Sequence, residues 1–239
     1  MVRKIIITFL LVMSAAALSG QTRTQTLYWI RYQALLTFSP RLTWNNDIDN
    51  RRFINPDVQN QLIFHSRLHY KVHRWDFASG LTYSLAYAAI PETGYEHSLA
   101  ELRPVAEVTY EIPIHKSFLA HRLRLDNRIF QERAEENVFE ESFYVMRVRY
   151  RIQYRTALRK NESNVTTIGL RIADEIMAND RQNYYDQNRV YVTGEFLLSS
   201  QFSLEAGYIH IHQRRFGRDE YFSRNVLRFS VLHRINLAD

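Results

Sequence analysis

The sequence contains no cysteine. That excludes disulfides as the source of its stability, and it excludes a lipid-modified N-terminal cysteine. Proline and glycine are scarce, five and seven among 239 residues, so long stretches run without a break. No apolar run beyond the first twenty residues approaches the roughly 20 needed for a membrane-spanning helix. Charge of one sign is not in large excess. The formal net charge is +6, and without Arg3 and Lys4 the remainder carries 29 basic against 25 acidic residues, a net +4. The basic residues are scattered along the chain, which speaks against a nucleic-acid partner.

What is present begins with a leader. Arg3 and Lys4 precede an apolar run from Ile5 to Val12, and small residues follow through Ala17, with Ser19 and Gly20 at a plausible cleavage point. This is the layout of a secretory signal peptide. The expected division is residues 1–20 as signal peptide and 21–239 as one domain. Asn161-Glu-Ser and Asn164-Val-Thr match a glycosylation pattern, which such short motifs do by chance. Aromatics are abundant, with 15 Tyr, 14 Phe and 3 Trp in a chain of polar mean hydropathy. Strands with one apolar and one polar face average to that value.

The period bears this out. Leu42, Trp44 and Ile48 alternate with Arg41, Thr43, Asn45, Asp47 and Asp49. Leu102, Ala106, Val108, Tyr110 and Ile112 alternate with Glu101, Arg103, Glu107 and Glu111. Tyr144, Met146, Val148, Tyr150, Ile152 and Tyr154 alternate with Arg147, Arg149, Arg151 and Arg155. A two-residue period is the mark of a strand with two unlike faces. Strands are expected near 27–38, 41–53, 60–72, 75–89, 98–112, 118–132, 142–156, 164–177, 187–198, 201–214 and 223–237. Most exceed the 5–6 residues usual in soluble sheets and reach the roughly 9–11 that cross a bilayer at a tilt. Connections alternate between short and long, as in outer-membrane barrels with short periplasmic turns and long outer loops. That arrangement puts the C-terminus in the periplasm. The fold expected is all-β, a transmembrane antiparallel up-and-down barrel. Eleven strands are counted, but single-chain bacterial barrels use even numbers, so about twelve are expected, with ten as the alternative. Tyr83, Tyr87, Tyr110, Tyr144, Tyr154 and Tyr208 are placed for aromatic girdles. The final Leu237-Ala-Asp239 lacks the terminal aromatic of the usual barrel-assembly signal, with Phe229 and Ile235 nearby.

Several stretches carry a family resemblance. They are His121-Arg-Leu-Arg-Leu-Asp-Asn-Arg128, the segment Arg147–Tyr154, Asn188-Arg-Val-Tyr-Val, and Ser200–Tyr208 ending Leu-Glu-Ala-Gly-Tyr. Over most of the mature length the chain resembles the uncharacterised family called domain of unknown function 2490. The resemblance implies an exported outer-membrane barrel and no activity.

The inward face is where chemistry is expected. Pairing residues 98–112 with 118–132 across a four-residue turn, Pro113 to Lys116, sets Glu107 against Arg122, Arg103 against Asp126 and Glu101 against Arg128. The register two residues away sets Arg103 against Arg128, and like charges directly opposed are unfavourable. The first register is therefore expected. Arg147, Arg149, Arg151 and Arg155 need partners, with Glu132 and Asp126 as near candidates and Arg171 and Glu175 on the strand beyond; Arg124 shares the inward face. The candidate lumen network is thus Glu101, Arg103, Glu107, Arg122, Arg124, Asp126, Arg128, Arg147, Arg149, Arg151, Arg155, Arg171 and Glu175. It reads either as an ion-pair packing that fills the barrel or as an anion-selective, porin-type channel.

Other chemistry is thin. His65 and His69 share a face but stand about 13 Å apart, too far to hold one metal. His210 and His212 lack further ligands. Ser66 points away from His65, and the acidic cluster Glu135, Glu136, Glu140 and Glu141 reads as a solvated outer loop. No cofactor is expected. The reading is a non-enzymatic outer-membrane barrel of a Gram-negative bacterium, structural or a narrow arginine-lined channel. Its partners would be outer-membrane lipid and the barrel-assembly machinery. The alternatives are a lipid-modifying barrel enzyme and a soluble periplasmic lipocalin-like barrel, whose apolar face would turn inward.

Overall fold

The computed structural model describes residues 21–87, 89–91, 98–131, 143–181, 184–214 and 220–238. The leader, Glu132 and the acidic cluster from Glu135 to Glu141 lie outside the described residues. Eleven strands are described: β1 (Gln21–Thr37), β2 (Leu42–Phe53), β3 (Gln59–Val72), β4 (Trp75–Ala86), β5 (Leu99–Ile114), β6 (Ser117–Gln131), β7 (Phe143–Lys160), β8 (Thr166–Asn179), β9 (Tyr185–Leu197), β10 (Phe202–Arg214) and β11 (Glu220–Asn236).

They form one closed barrel. Each strand runs antiparallel to its sequence neighbour, and β1 closes on β11 in parallel, Gln21–Thr37 alongside Glu220–Asn236. The count is eleven, one fewer than the even number expected. Residues 21–26 lengthen β1 and do not make a further strand. Parallel closure needs no turn between the paired strands, so an odd number can close. It also puts Gln21 at one end of the barrel and Asn236 at the other.

From β3 to β7 short turns alternate with longer connections, whereas the β7–β8 and β8–β9 connections, 161–165 and 180–184, are equal in length. His73–Arg74 and His115–Lys116 are two-residue turns, with the histidines at φ 55° and 54°. Histidine is among the residues that tolerate this left-handed region. The turn at His115–Lys116 corrects the expected register. Ile114 pairs with Ser117, so Glu107 faces Arg124 and Thr109 faces Arg122. Arg103 stands opposite Arg128, and the ladder lapses over Arg103 and Pro104, where proline has no N–H to give. The assumed four-residue turn was too long by two.

The two faces divide cleanly. On β7, Val145, Arg147 and Arg149 are buried, whereas Tyr144, Met146, Val148 and Tyr150 are exposed. Ile30, Trp44, Phe64, Leu81, Leu125, Ile172, Leu204 and Phe229 repeat the exposed apolar face around the wall. The proposed girdle residues Tyr83, Tyr144, Tyr154 and Tyr208 are on it, while Tyr87 and Tyr110 are half-buried. Inside, Leu27, Trp29, Phe53, Tyr191, Ile209, Ile211 and Val226 make an apolar cluster. Most of the rest of the lumen is charged.

Candidate functional site

The lumen is built by alternation. Strands β5 to β8 send Glu101, Arg103, Glu107, Arg122, Arg124, Asp126, Arg128, Arg147, Arg149, Arg151 and Glu175 inward. Direct cross-strand neighbours are often alike: Arg122 faces Arg151, and Arg124 faces Arg149. The carboxylates compensate by taking several arginines each, directly opposite as for Asp126 and Arg147, two residues along one strand as for Asp126 and Arg124, or on the diagonal as for Glu101 and Arg128. Asp126, fully buried, accepts from Arg124 Nε at 2.6 Å, from Arg147 Nη2 at 2.7 Å and from Arg149 Nη1 at 3.5 Å. Glu175, also fully buried, accepts from Arg122 at 2.5 Å, from Arg149 at 3.0 Å and from the Tyr191 hydroxyl at 2.9 Å. Glu101 accepts from Arg103 Nε at 2.9 Å, Arg128 Nε at 2.6 Å and the Ser84 hydroxyl at 3.2 Å. Diagonal cross-strand neighbours stand about 7–8 Å apart at the backbone, which a long side chain spans.

The expected ion pairs therefore form in part, by a different geometry. Glu101 meets Arg128 on a diagonal, and Glu107 lies 3.6 Å from Arg122 without opposing it. Arg103 bonds Glu101 in place of Asp126. Arg171 belongs to a separate pair with Glu205, which also takes Arg31 at 3.1 Å. Arg155 is half-exposed near the short-turn end, 3.6 Å from Glu111, and stands apart from the buried network. The remaining side chains place as expected or find simple partners. His65 Nδ1 contacts Thr82 Oγ1 at 2.6 Å, and His69 meets Asp76 at 3.1 Å. Ser66 faces outward and accepts from Trp44 Nε1 at 2.9 Å. His210 meets Asn225 and His212 meets the Tyr185 hydroxyl. Among the described residues no group of three or more potential metal ligands converges.

Within the charged interior remains a cavity of about 220 Å³. Arginines from most of the strands line it, including Arg31, Arg51, Arg67, Arg124, Arg149, Arg189, Arg224 and Arg228, with Asp47 and Asp49 as its acids.

A family model described as "Protein of unknown function (DUF2490)" matches residues 26–222, most of the chain. The chain belongs to the DUF2490 family. No curated protein matches it. In this DUF2490 barrel the sequence reading found the β5–β8 wall and missed the opposite one. Trp29, Arg31, Arg51, Arg67, Tyr191, Glu205, Arg224 and Arg228 all line or face the lumen. The two-residue period did set Asp47 and Asp49 on the polar face of β2, and one step further it reaches Arg51. On β10, Ile209 and Ile211 point inward while Leu204 and Tyr208 point outward, so apolar residues occupy both faces and the period is blurred.

Proposed function

We propose that this DUF2490 member is a non-enzymatic outer-membrane β-barrel whose lumen is packed by arginine–carboxylate pairs. One observation carries the reading: the polarity of the molecule is inverted. Charged residues such as Asp126, Glu175 and Arg124 are buried, and bulky apolar residues on strand after strand are 40 % or more exposed. A water-soluble protein rarely exposes so continuous an apolar surface. Lipid is the solvent that matches it, and a closed barrel satisfies every strand edge there. Strands of 12 to 18 residues are long enough to cross with their ends projecting. The lipocalin-like alternative needs an apolar interior with Arg147, Arg149 and Arg151 outside, the reverse of this arrangement.

An eleven-stranded barrel lies between eight strands, which side chains fill, and 16–18, which leave a channel. The ion pairs centred on Asp126 and Glu175 fill much of this one. We therefore read the barrel as closed and structural, and the cavity beside the pairs favours a narrow anion channel as the second reading. Planar-bilayer recording of the refolded chain separates them. The closed barrel inserts without conductance steps. Anion-selective steps that lose their selectivity in Arg149→Glu/Arg151→Glu would establish the channel instead.

A further inference from the structure

The wall opposite β5–β8 carries three arginines with no carboxylate in contact. Arg189 on β9, and Arg224 and Arg228 on β11, point inward. None of the three has a carboxylate within 4.0 Å among the described residues. Arg224 donates Nε to Gln25 and Nη1 to Gln213, both at 2.7 Å, and Nη2 has no acceptor among the described residues. Arg189 donates Nε to Gln187 at 3.2 Å, and neither terminal nitrogen has an acceptor among the described residues. Glutamine carbonyls orient a guanidinium and neutralise nothing.

These groups converge. Arg224 and Arg189 lie in one cross-strand row with Ile211 between them, so their backbones are about 10 Å apart. The Arg189 guanidinium sits 5.6 Å from the Trp29 ring centroid, and Arg51 sits over the same ring at 3.8 Å. Arg51 already has Asp49 at 2.8 Å. Arg51 and Arg189, which line the same cavity as Arg224, carry charges of its own sign. All of these residues line the 220 Å³ cavity. A buried cation without a partner is unfavourable, and here several face one space. Guanidinium forks held in place with free N–H groups suit a tetrahedral oxyanion. Three guanidiniums without a bonded carboxylate favour a multiply charged one over a carboxylate.

We propose that this cavity is a binding site for a phosphate-class oxyanion, received by the free nitrogens of Arg189 and Arg224 beside Trp29. The site requires the closed barrel and does not depend on which membrane holds it, so the bilayer experiment above and the one below fail independently. Isothermal titration of the full chain, refolded in detergent, uses inorganic phosphate as probe, with chloride as the control. Saturable phosphate uptake is expected, weakened at least tenfold in Arg189→Gln/Arg224→Gln and unchanged in Arg159→Gln near the short-turn end. Competition by a phosphomonoester lipid in mixed micelles, at lower concentration than inorganic phosphate, would identify a headgroup as the source. Its failure to compete would identify the free anion. Thermal unfolding guards against a folding defect. Phosphate should raise the midpoint of the wild type and leave that of the double variant unmoved, and without phosphate the variant should melt no lower than the wild type. Absence of saturable uptake, or uptake unchanged in the double variant, would overturn the proposal.

Discussion

Asp126 and Glu175 each hold two or more arginines inside the barrel. Removing the charge from one of them leaves several buried guanidiniums facing one another. Losing one partner of a buried pair costs about 3–5 kcal/mol, because the surviving charge is stranded. Glu175→Gln should therefore lower the stability of the refolded barrel by about that amount in urea titration. Glu111 pairs with Arg155 where both are 46 % exposed, and Glu111→Gln should stay within about 0.5 kcal/mol. Equal, small effects would mean that the lumen pairs are hydrated and contribute little. Which arginines meet which acids was only partly legible in the sequence. Directly opposed residues are what a register argument compares, whereas arginine is long enough to bond on the diagonal. Arg103 opposite Arg128 is tolerated because Glu101 bonds both.

At the scale of the strand, small residues decide how closely neighbours approach. A Cβ placed on Gly80 would fall on the Ser66 carbonyl oxygen and come within 2.7 Å of Arg67 Cα. Strands β3 and β4 are hydrogen-bonded there, Gly80 pairing with Arg67, so the backbone would have to move. Gly80→Ala should destabilise the barrel by about 1–3 kcal/mol. Gly169, where a Cβ meets nothing nearer than 3.8 Å, provides the contrast. Gly169→Ala should be neutral or stabilising by up to about 1 kcal/mol, both read from the same urea titrations. Strand extents were legible because the alternation on β2, β5 and β7 is nearly unbroken. The β5–β6 register was not, because it depends on where the turn closes. A histidine at positive φ in a two-residue turn gives a weaker signal than the asparagine–glycine pairs usual there.

At the scale of the whole molecule, the fold class was legible and the closure was not. An all-β barrel follows from long alternating strands joined by turns of alternating length. Parallel pairing of β1 with β11 leaves no local trace, since the two strands share no turn. One wall of the lumen was read from the arginine run of β7. The other is assembled from Arg31 on β1, Arg51 on β2, Arg189 on β9 and Arg224 and Arg228 on β11, which only the closed barrel brings together. In the proposed membrane barrel the apolar face meets lipid and the arginine face does not. The absence of cysteine makes that directly measurable. Single cysteines at positions 144 to 151 of β7, spin-labelled and reconstituted in bilayers, report contact with dissolved oxygen. High oxygen accessibility should recur at Tyr144, Met146, Val148 and Tyr150 and fall at Val145, Arg147, Arg149 and Arg151. A profile without that two-residue period, or a labelled chain that stays in the aqueous phase, would contradict the membrane barrel.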